Sequence, residues 1–182
     1  MGGGTISSRA LSRPAAFVDR DGVLNRRPGR GHVLRAEDLD VLPHAAEGLV
    51  ALRALGYAIV VVTNQRAVAL GTLAPAELER IHARLVAELA RGGATVDRIE
   101  HCPHDDQDGC ACRKPRPGML LRAALALGLD VSRSVLIGDD PRDLAAAEAA
   151  GVPVRVLLPS DGDLRVAVDE VRRRVEVAPP VA

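Results

Sequence analysis

The chain has 182 residues, the length of one domain, and its composition of 47% hydrophobic and 26% charged residues is that of a globular protein. Its 24 basic residues are balanced by 24 acidic ones, which argues against a nucleic-acid or anionic-membrane partner, because such binders carry a basic excess. No apolar run reaches the roughly 18 residues that a membrane span needs. The polar start lacks the apolar core of a signal peptide, so the sequence predicts a cytoplasmic protein.

Two compositional features point to a functional site. Lys114 is the single lysine in a chain with 23 arginines. A lysine kept in a composition so biased toward arginine indicates a need for its compact ammonium group, which arginine does not provide. The three cysteines, Cys102, Cys110 and Cys112, fall within eleven residues. An odd, clustered set of cysteines in a cytoplasmic chain favours metal ligation over disulfides.

The predicted elements alternate between short apolar, β-branched runs and helical patterns that a glycine ends. In chain order they are a strand at 15–18, a helix at 45–55, a strand at 58–62, a helix at 75–91, a strand at 97–100, a helix at 119–127, a strand at 134–137, a helix at 141–150, a strand at 154–158 and a peripheral helix at 164–175. We expect residues 1–13 to be disordered, residues 14–177 to form a single domain, and residues 178–182 to form a tail.

This alternation predicts an α/β fold with a doubly wound, Rossmann-like parallel sheet. In such sheets the ligand lies beyond the carboxyl ends of the strands. The polar motifs fall at those ends: Asp19 and Asp21 after the first strand, Thr63, Asn64 and Gln65 after the second, and Asp139 and Asp140 after the fourth.

Asp19 and Asp21 are two residues apart, so their side chains can point the same way. Neighbouring carboxylates repel each other unless a cation lies between them or one holds a proton. With Asp139 they form an oxygen ligand set of the kind that Mg²⁺ prefers. The alternative for Asp19 and Asp21 is a turn or cap role before Gly22.

A phosphoryl group brought to such a site needs positive charge and donors as its transition state forms. Thr63 offers a hydroxyl and Lys114 an ammonium group. One aspartate can attack phosphorus to form an aspartyl-phosphate, and the second can protonate the leaving alkoxide and later activate water.

Four motifs in order resemble those of the haloacid dehalogenase-like (HAD) phosphatases: residues 19–23 (DRDGV), 61–65 (VVTNQ), 113–115 (RKP) and 138–143 (GDDPRD). The resemblance covers residues 15–158. It implies the HAD fold, a nucleophile at Asp19, an acid/base at Asp21, and phosphate-stabilising roles for Thr63 and Lys114. It also implies Mg²⁺ held by the Asp19 side chain, the Asp21 carbonyl oxygen and Asp139, with Asp143 as a supporting carboxylate. No insertion is long enough for a separate cap domain, so we expect a cap-less enzyme.

The cysteines lie between the second and third motifs, together with His104. Three thiolates and one imidazole make a closed tetrahedral zinc set of the structural kind. His101 is adjacent to Cys102 and less well placed to join it. The sequence therefore predicts that zinc shapes a loop ahead of Arg113 and Lys114. The predicted ligands are Cys102, His104, Cys110 and Cys112.

A zinc loop at this place is similar to that of the D-glycero-D-manno-heptose-1,7-bisphosphate phosphatases and the related histidinol-phosphate phosphatases. Residues 113–119 resemble the heptose group, whereas the five residues between His104 and Cys110 are closer to the histidinol-phosphate group. The resemblance implies a phosphatase that removes the 7-phosphate of D-glycero-D-manno-heptose 1,7-bisphosphate. The alternative substrates are histidinol phosphate and another small phosphorylated sugar. A further alternative is a non-catalytic protein that binds a phosphorylated ligand and whose fold is stabilised by metal. We expect a monomer.

Two positions depart from the heptose pattern. Arg66 and Leu70 replace a serine and an arginine, so Arg66 either contacts substrate or is a solvated surface residue. Asp140 replaces a basic residue; it either adds negative charge beside the metal or caps the helix that begins at Pro141. The expected substrate contacts are Asn64, Gln65, Arg66 and Arg113. Further candidate anchors for a second phosphate are Arg26, Arg27, Arg30, Arg35 and Arg116.

Overall fold

The computed structural model describes residues 13–28 and 31–177. Residues 1–12 of the expected disordered segment, Arg30 and the expected tail lie outside this part of the chain. The five strands are β1 (Arg13–Val18), β2 (Ala58–Asn64), β3 (Arg98–Cys102), β4 (Leu129–Gly138) and β5 (Val154–Leu157). The helices are α1 (Ala45–Ala54), α2 (Arg66–Ala69), α3 (Pro75–Arg91), α4 (Gly118–Leu127), α5 (Pro141–Ala150) and α6 (Leu164–Val177), with 3₁₀ turns at Ala36–Asp38 and Asp106–Asp108.

All five strands pair in parallel, in the order β3-β2-β1-β4-β5. Alternate residues of the strands face two separate apolar layers, as the period of two requires. Ala16 and Val18 of β1 pack with α1, α3 and α6, whereas Ala15 and Phe17 pack with α4 and α5. The doubly wound parallel sheet predicted from the alternating pattern is therefore confirmed.

Several element boundaries differ from the prediction. β1 begins at Arg13, which was expected to be disordered, because Arg13 pairs with Leu129, and β2 extends to Asn64. β4 begins at Leu129 instead of residue 134, because Leu129 and Asp130 pair with Arg13 and Pro14 before the register shifts. A search for apolar runs does not predict a strand here, because this stretch contains polar residues. β3 extends to Cys102, and the four-residue helix α2 was not predicted.

The strand order reverses at β1: the chain proceeds from β1 through β2 to β3 and then returns to place β4 on the other side of β1. The crevice above the carboxyl ends of β1 and β4 is the topological switch point, where such folds bind ligands. The described residues form this one layered unit without a separate cap domain. None of its helices has the length and apolar character needed to traverse a bilayer.

Candidate active site

Asp19 and Lys114 form a buried ion pair at the switch point. The Lys114 ammonium donates to Asp19 Oδ1 at 2.8 Å and to the Val62 carbonyl at 2.9 Å, and it lies 2.5 Å from Asp143 Oδ1. Burial raises the pKa of Asp19 to about 7; Lys114 opposes the increase and Asp143 adds to it. Burial disfavours the charged form of Lys114, but the negative charges of Asp19 and Asp143 and their hydrogen bonds outweigh burial and raise the pKa of Lys114. The single lysine is thus the countercharge of two carboxylates.

The carboxylates of Asp19, Asp139 and Asp143 form a cluster whose oxygen atoms lie within 4.8 Å of one another. Asp139 Oδ2 is buried and has no hydrogen-bond partner among the described residues, which is the state that a bound cation would satisfy. Gly22, at a φ of +90°, and Gly138 leave room for these groups, since a Cβ atom at either position would overlap Asp139 or Asp143. The donor set fits Mg²⁺, which takes oxygen ligands.

The Asp21 carboxylate lines the cleft beside Asp19 and is held by three side chains. It accepts from Nε and Nη2 of Arg20 at 3.1 and 2.9 Å, from Asn25 at 2.9 Å and from Gln65 at 2.9 Å. Burial raises the pKa of Asp21, but the charge of Arg20 and the hydrogen bonds outweigh burial, so its pKa lies below the usual value. The carboxylate is therefore fixed in position and ionised at neutral pH.

The side chains of Asn64 and Gln65, the expected substrate contacts, are both hydrogen-bonded to other groups of the protein. Gln65 is fully buried and does not line the cleft; its Nε2 donates to Asp21 and, at 2.8 Å, to the Thr63 hydroxyl. Asn64 lines the cleft, but its amide is engaged in two 3.1 Å hydrogen bonds with the backbone of Lys114. Both side chains position groups that the sequence assigns to chemistry.

Asp140 caps α5, as the local interpretation of the sequence predicts. Its side chain accepts from the backbone N–H of Arg142 at 2.9 Å, while Asp143 accepts from the backbone N–H of Asp140. The Arg142 guanidinium lies 2.8 Å from Asp140 and lowers its pKa to about 2. The extra negative charge near the carboxylate cluster is thus paired.

The cleft above these residues has a volume of about 340 Å³ and carries several cationic side chains. The Arg66 guanidinium makes a bidentate ion pair with Asp105 at 2.6 and 3.0 Å. Arg113 is mostly buried and contacts Asp106, and its buried Nη1 has no hydrogen-bond partner among the described residues. Arg27 lies 2.7 Å from Asp139. The cationic residues that line the cleft are Arg27, Arg66, Arg113, Lys114 and Arg142.

The predicted cysteine and histidine group converges as expected. Its three sulfur–sulfur distances lie between 3.2 and 3.6 Å, and His104 Nδ1 lies 3.2 Å from the sulfur of Cys112. Tetrahedral zinc with Zn–S bonds of about 2.3 Å places sulfurs about 3.8 Å apart, so the group fits such an ion. The two residues after Cys112 are Arg113 and Lys114, so the group anchors the segment that brings these two cations to the cleft.

Sequence reasoning missed Arg20, Asn25 and Asp105. Arg20 is fully buried and its guanidinium donates hydrogen bonds to Asp21. Its position between the two aspartates of one motif is a sequence signal that could have indicated this role. Asn25 lies four residues after Asp21 across a tight turn, and Asp105 follows directly after a predicted zinc ligand. A pattern of apolar and polar residues does not reveal which polar groups pair in this way.

The comparisons with known proteins agree with this geometry. A family model for haloacid dehalogenase-like hydrolases matches residues 12–151. The D-glycero-β-D-manno-heptose-1,7-bisphosphate 7-phosphatase of Vibrio cholerae is 37% identical over 155 residues, 81% of this chain and 82% of that protein. The enzyme of the same name from Rhodopseudomonas palustris is 37% identical over 81% of this chain and 85% of its own.

A crystal structure of D,D-heptose 1,7-bisphosphate phosphatase from B. bronchiseptica, complexed with magnesium and phosphate, matches with a TM-score of 0.74 at 33% identity and covers 86% of each chain. The family model spans most of the sequence, and the two relatives align over most of their length. The chain belongs to the haloacid dehalogenase-like hydrolase family.

Proposed function

We propose that the chain is a Mg²⁺-dependent phosphoric monoester hydrolase that removes the 7-phosphate of D-glycero-β-D-manno-heptose 1,7-bisphosphate. The observation that carries this proposal is the convergence of side chains at the carboxyl ends of three strands. Asp19, Asp21, Thr63 and Lys114 line one cleft, and Asp139 lies in the carboxylate cluster with Asp19. The names of the similar enzymes from Vibrio cholerae and Rhodopseudomonas palustris support this choice of substrate.

In the first step Asp19 attacks phosphorus, the bond from phosphorus to the sugar oxygen breaks, and an aspartyl-phosphate forms on Asp19. The leaving alkoxide takes a proton from Asp21. Lys114, 2.8 Å from the Asp19 carboxylate, favours the ionised form of the nucleophile against the effect of burial and stabilises the charge that develops on the phosphoryl oxygens. The Thr63 hydroxyl, held by Gln65, is a further donor to this group.

In the second step water attacks the phosphorus of the aspartyl-phosphate and gives a proton to Asp21. The bond from phosphorus to the Asp19 oxygen breaks, inorganic phosphate leaves, and the Asp19 carboxylate is restored. Asp21 is ionised in the free site, so it is ready to accept this proton. An incoming phosphate adds negative charge beside it and favours its protonated form, which the first step requires. The hydrogen bonds from Arg20, Asn25 and Gln65 keep the carboxylate in place for both steps.

Asp19 and Asp139, together with the Asp21 carbonyl oxygen that the family resemblance adds, are the residues that would hold Mg²⁺. When bound, Mg²⁺ supplies positive charge that offsets the phosphate oxygens. Asp143 lies in the same cluster and bonds Lys114, so it positions the lysine and balances its charge.

A sugar with two phosphates needs cations away from the reacting centre as well as beside it. Arg113 is the best candidate for the second phosphate, because its Nη1 is buried at the cleft without a partner. A guanidinium can bind phosphate in a bidentate manner. Arg66 supports the cleft wall through Asp105 and is exposed enough to reach substrate after a rotamer change.

We further propose that Zn²⁺ occupies the group of Cys102, His104, Cys110 and Cys112 as a structural ion. The short distances among the four side chains support this assignment. Three thiols kept as metal ligands fit a reducing compartment, and we propose that the protein acts in the cytoplasm. We also propose that it acts as a monomer, because one described unit carries the whole candidate site.

Histidinol phosphate is the second candidate substrate, favoured by the five-residue spacing between His104 and Cys110. Phosphate release from both substrates, measured as kcat/KM with Mg²⁺ present, decides between them. We expect a preference for the heptose bisphosphate of at least about a hundredfold, or about 2.7 kcal/mol in the transition state. A preference for histidinol phosphate would contradict the proposed substrate while leaving the phosphatase chemistry intact.

A further inference from the structure

A second group of metal-ligating side chains lies away from both the cleft and the cysteines. Glu79 and His82 lie one turn apart on α3, and His101 lies on the edge strand β3 with its ring beside that of His82. Their ligand atoms are within 4.8 Å of one another. We propose that these three residues form a transition-metal site that binds an ion such as Ni²⁺ or Zn²⁺.

The ring geometry supports a shared ion. The centroids of His82 and His101 are 5.5 Å apart and the rings are tilted by 50°. Two imidazoles bound to one ion at a tetrahedral angle, with metal–nitrogen bonds of about 2.1 Å, hold their centroids about 5 Å apart. A small adjustment of the side chains therefore suffices to bring both nitrogens onto one ion.

His82 is unusual for an apolar helix face. It is only 5% exposed and is flanked along the helix by Ile81 and Leu85 of the core, yet its Nε2 has no hydrogen-bond partner among the described residues. A buried polar atom without a partner is costly, so its retention calls for a ligand or a bound solvent molecule. Burial lowers the pKa of His82 to about 3, which leaves the ring neutral and able to bind a metal at neutral pH.

The charges around the group set the class of ion. Glu79 supplies one exposed carboxylate, while Arg20 and Arg122 are the cations whose charge is felt there. One carboxylate with two imidazoles is a poor set for Mg²⁺ but a good one for Ni²⁺, Cu²⁺ or Zn²⁺. Three protein ligands leave coordination positions for water, so we expect a weaker, exchangeable site than the closed cysteine group.

The site lies one residue from Cys102 in sequence, but on the other face of β3. Cys102 belongs to the apolar layer with α4, whereas His101 faces α3. An ion here is therefore separate from the proposed structural zinc. Since Arg20 lies close enough for its charge to lower the pKa of His82 and also holds Asp21, the site is coupled electrostatically to the candidate acid/base.

The test uses the full-length, untagged protein loaded with zinc and kept in excess Mg²⁺, titrated with Ni²⁺ by calorimetry. We expect one Ni²⁺ per chain with no zinc released, as checked by elemental analysis after dialysis. The Glu79→Gln variant should bind Ni²⁺ at least about tenfold more weakly, the lower end of what even an outer ligand partner contributes. The Glu88→Gln variant, which removes the same charge from the same helix, should bind as the parent does.

A second variant, His82→Gln, removes a nitrogen ligand while keeping a side chain of similar size, and its fold is checked by circular dichroism. Folded His82→Gln protein should lose the Ni²⁺ site. The proposal is overturned if Ni²⁺ does not bind, if its uptake matches zinc loss, or if Glu79→Gln binds it as tightly as Glu88→Gln does.

Discussion

Lys114 is the residue whose replacement tests the proposed site most directly, because within residues 13–28 and 31–177 its ammonium group is the only counterion that the two buried carboxylates Asp19 and Asp143 share. The Lys114→Met variant keeps an unbranched side chain that is one atom shorter and removes its charge. Loss of a donor to the developing phosphoryl charge costs about 2.7–4 kcal/mol, so we expect kcat to fall by about 10²–10³. Breaking a buried pair by removing one partner costs about 3–5 kcal/mol of stability.

The stability effect has a predictable pH dependence. The pKa of Asp19 is raised from 3.8 to about 7, so between these values the folded chain binds more protons than the unfolded chain, and stability falls as pH rises. Lys114 is the strongest influence that lowers this pKa, so its removal raises the pKa further. The loss in free energy of unfolding should therefore grow as the pH rises above about 7, where Asp19 ionises in the parent but stays protonated in the variant, and it should level off at a smaller value below pH 7.

The assay is urea unfolding followed by circular dichroism in Mg²⁺-free buffer at several pH values, with phosphate release measured separately with Mg²⁺. Arg80→Met, which removes an exposed cation of α3, is the matched control and should change stability by less than about 1 kcal/mol. A Lys114→Met penalty that is the same at all pH values would refute the assigned countercharge. Unchanged kcat would refute the role in phosphate transfer.

Three further predictions concern the cleft wall, the α5 cap and the cysteine group. Arg66→Gln and Asp105→Asn should each lower kcat/KM by a similar factor, and the double variant should lose no more than either single one, because they break the same ion pair; additive losses would mean that Arg66 acts independently on substrate. Asp140→Ala should cost about 1 kcal/mol in unfolding by urea, whereas Asp140→Asn should cost almost nothing because asparagine also caps helices; equal losses would contradict the cap role. Cys110→Ser protein purified without chelators should hold less than about half a zinc ion per chain by elemental analysis, against one in the parent, because a closed set needs all four ligands; equal zinc contents would contradict the assignment.

The fold was predictable because its signals are local. Short β-branched runs such as Ala58–Val62, alternating with helical patterns that glycine ends, specify a parallel sheet without any knowledge of tertiary contacts. The start of β4 was not predictable in this way. Leu129 and Asp130 are strand residues only because Arg13 and Pro14 lie beside them, and that pairing joins distant parts of the chain.

In the candidate site, too, local features were predictable from the sequence and tertiary contacts were not. Its principal residues are recognisable because chemistry limits the residue types at strand ends, and the Asp140 cap follows from the proline after it. Side-chain direction is a different matter. Gln65 points to the Asp21 carboxylate and the Thr63 hydroxyl, and its contact with Asp21 joins residues 44 positions apart that no local pattern relates.

The central claim, that Asp19 carries the phosphoryl group, is tested most directly by trapping the intermediate. Enzyme turning over heptose 1,7-bisphosphate with Mg²⁺ is quenched in acid and reduced with borohydride, which converts an aspartyl-phosphate to homoserine, and the peptides are mapped by mass spectrometry. Asp21→Asn, which lacks the proposed acid and base of both steps, is included as a variant that should turn over more slowly with its nucleophile intact. We predict homoserine at position 19 only when substrate is present; homoserine at another position, or full turnover of substrate with none at position 19, would contradict the account.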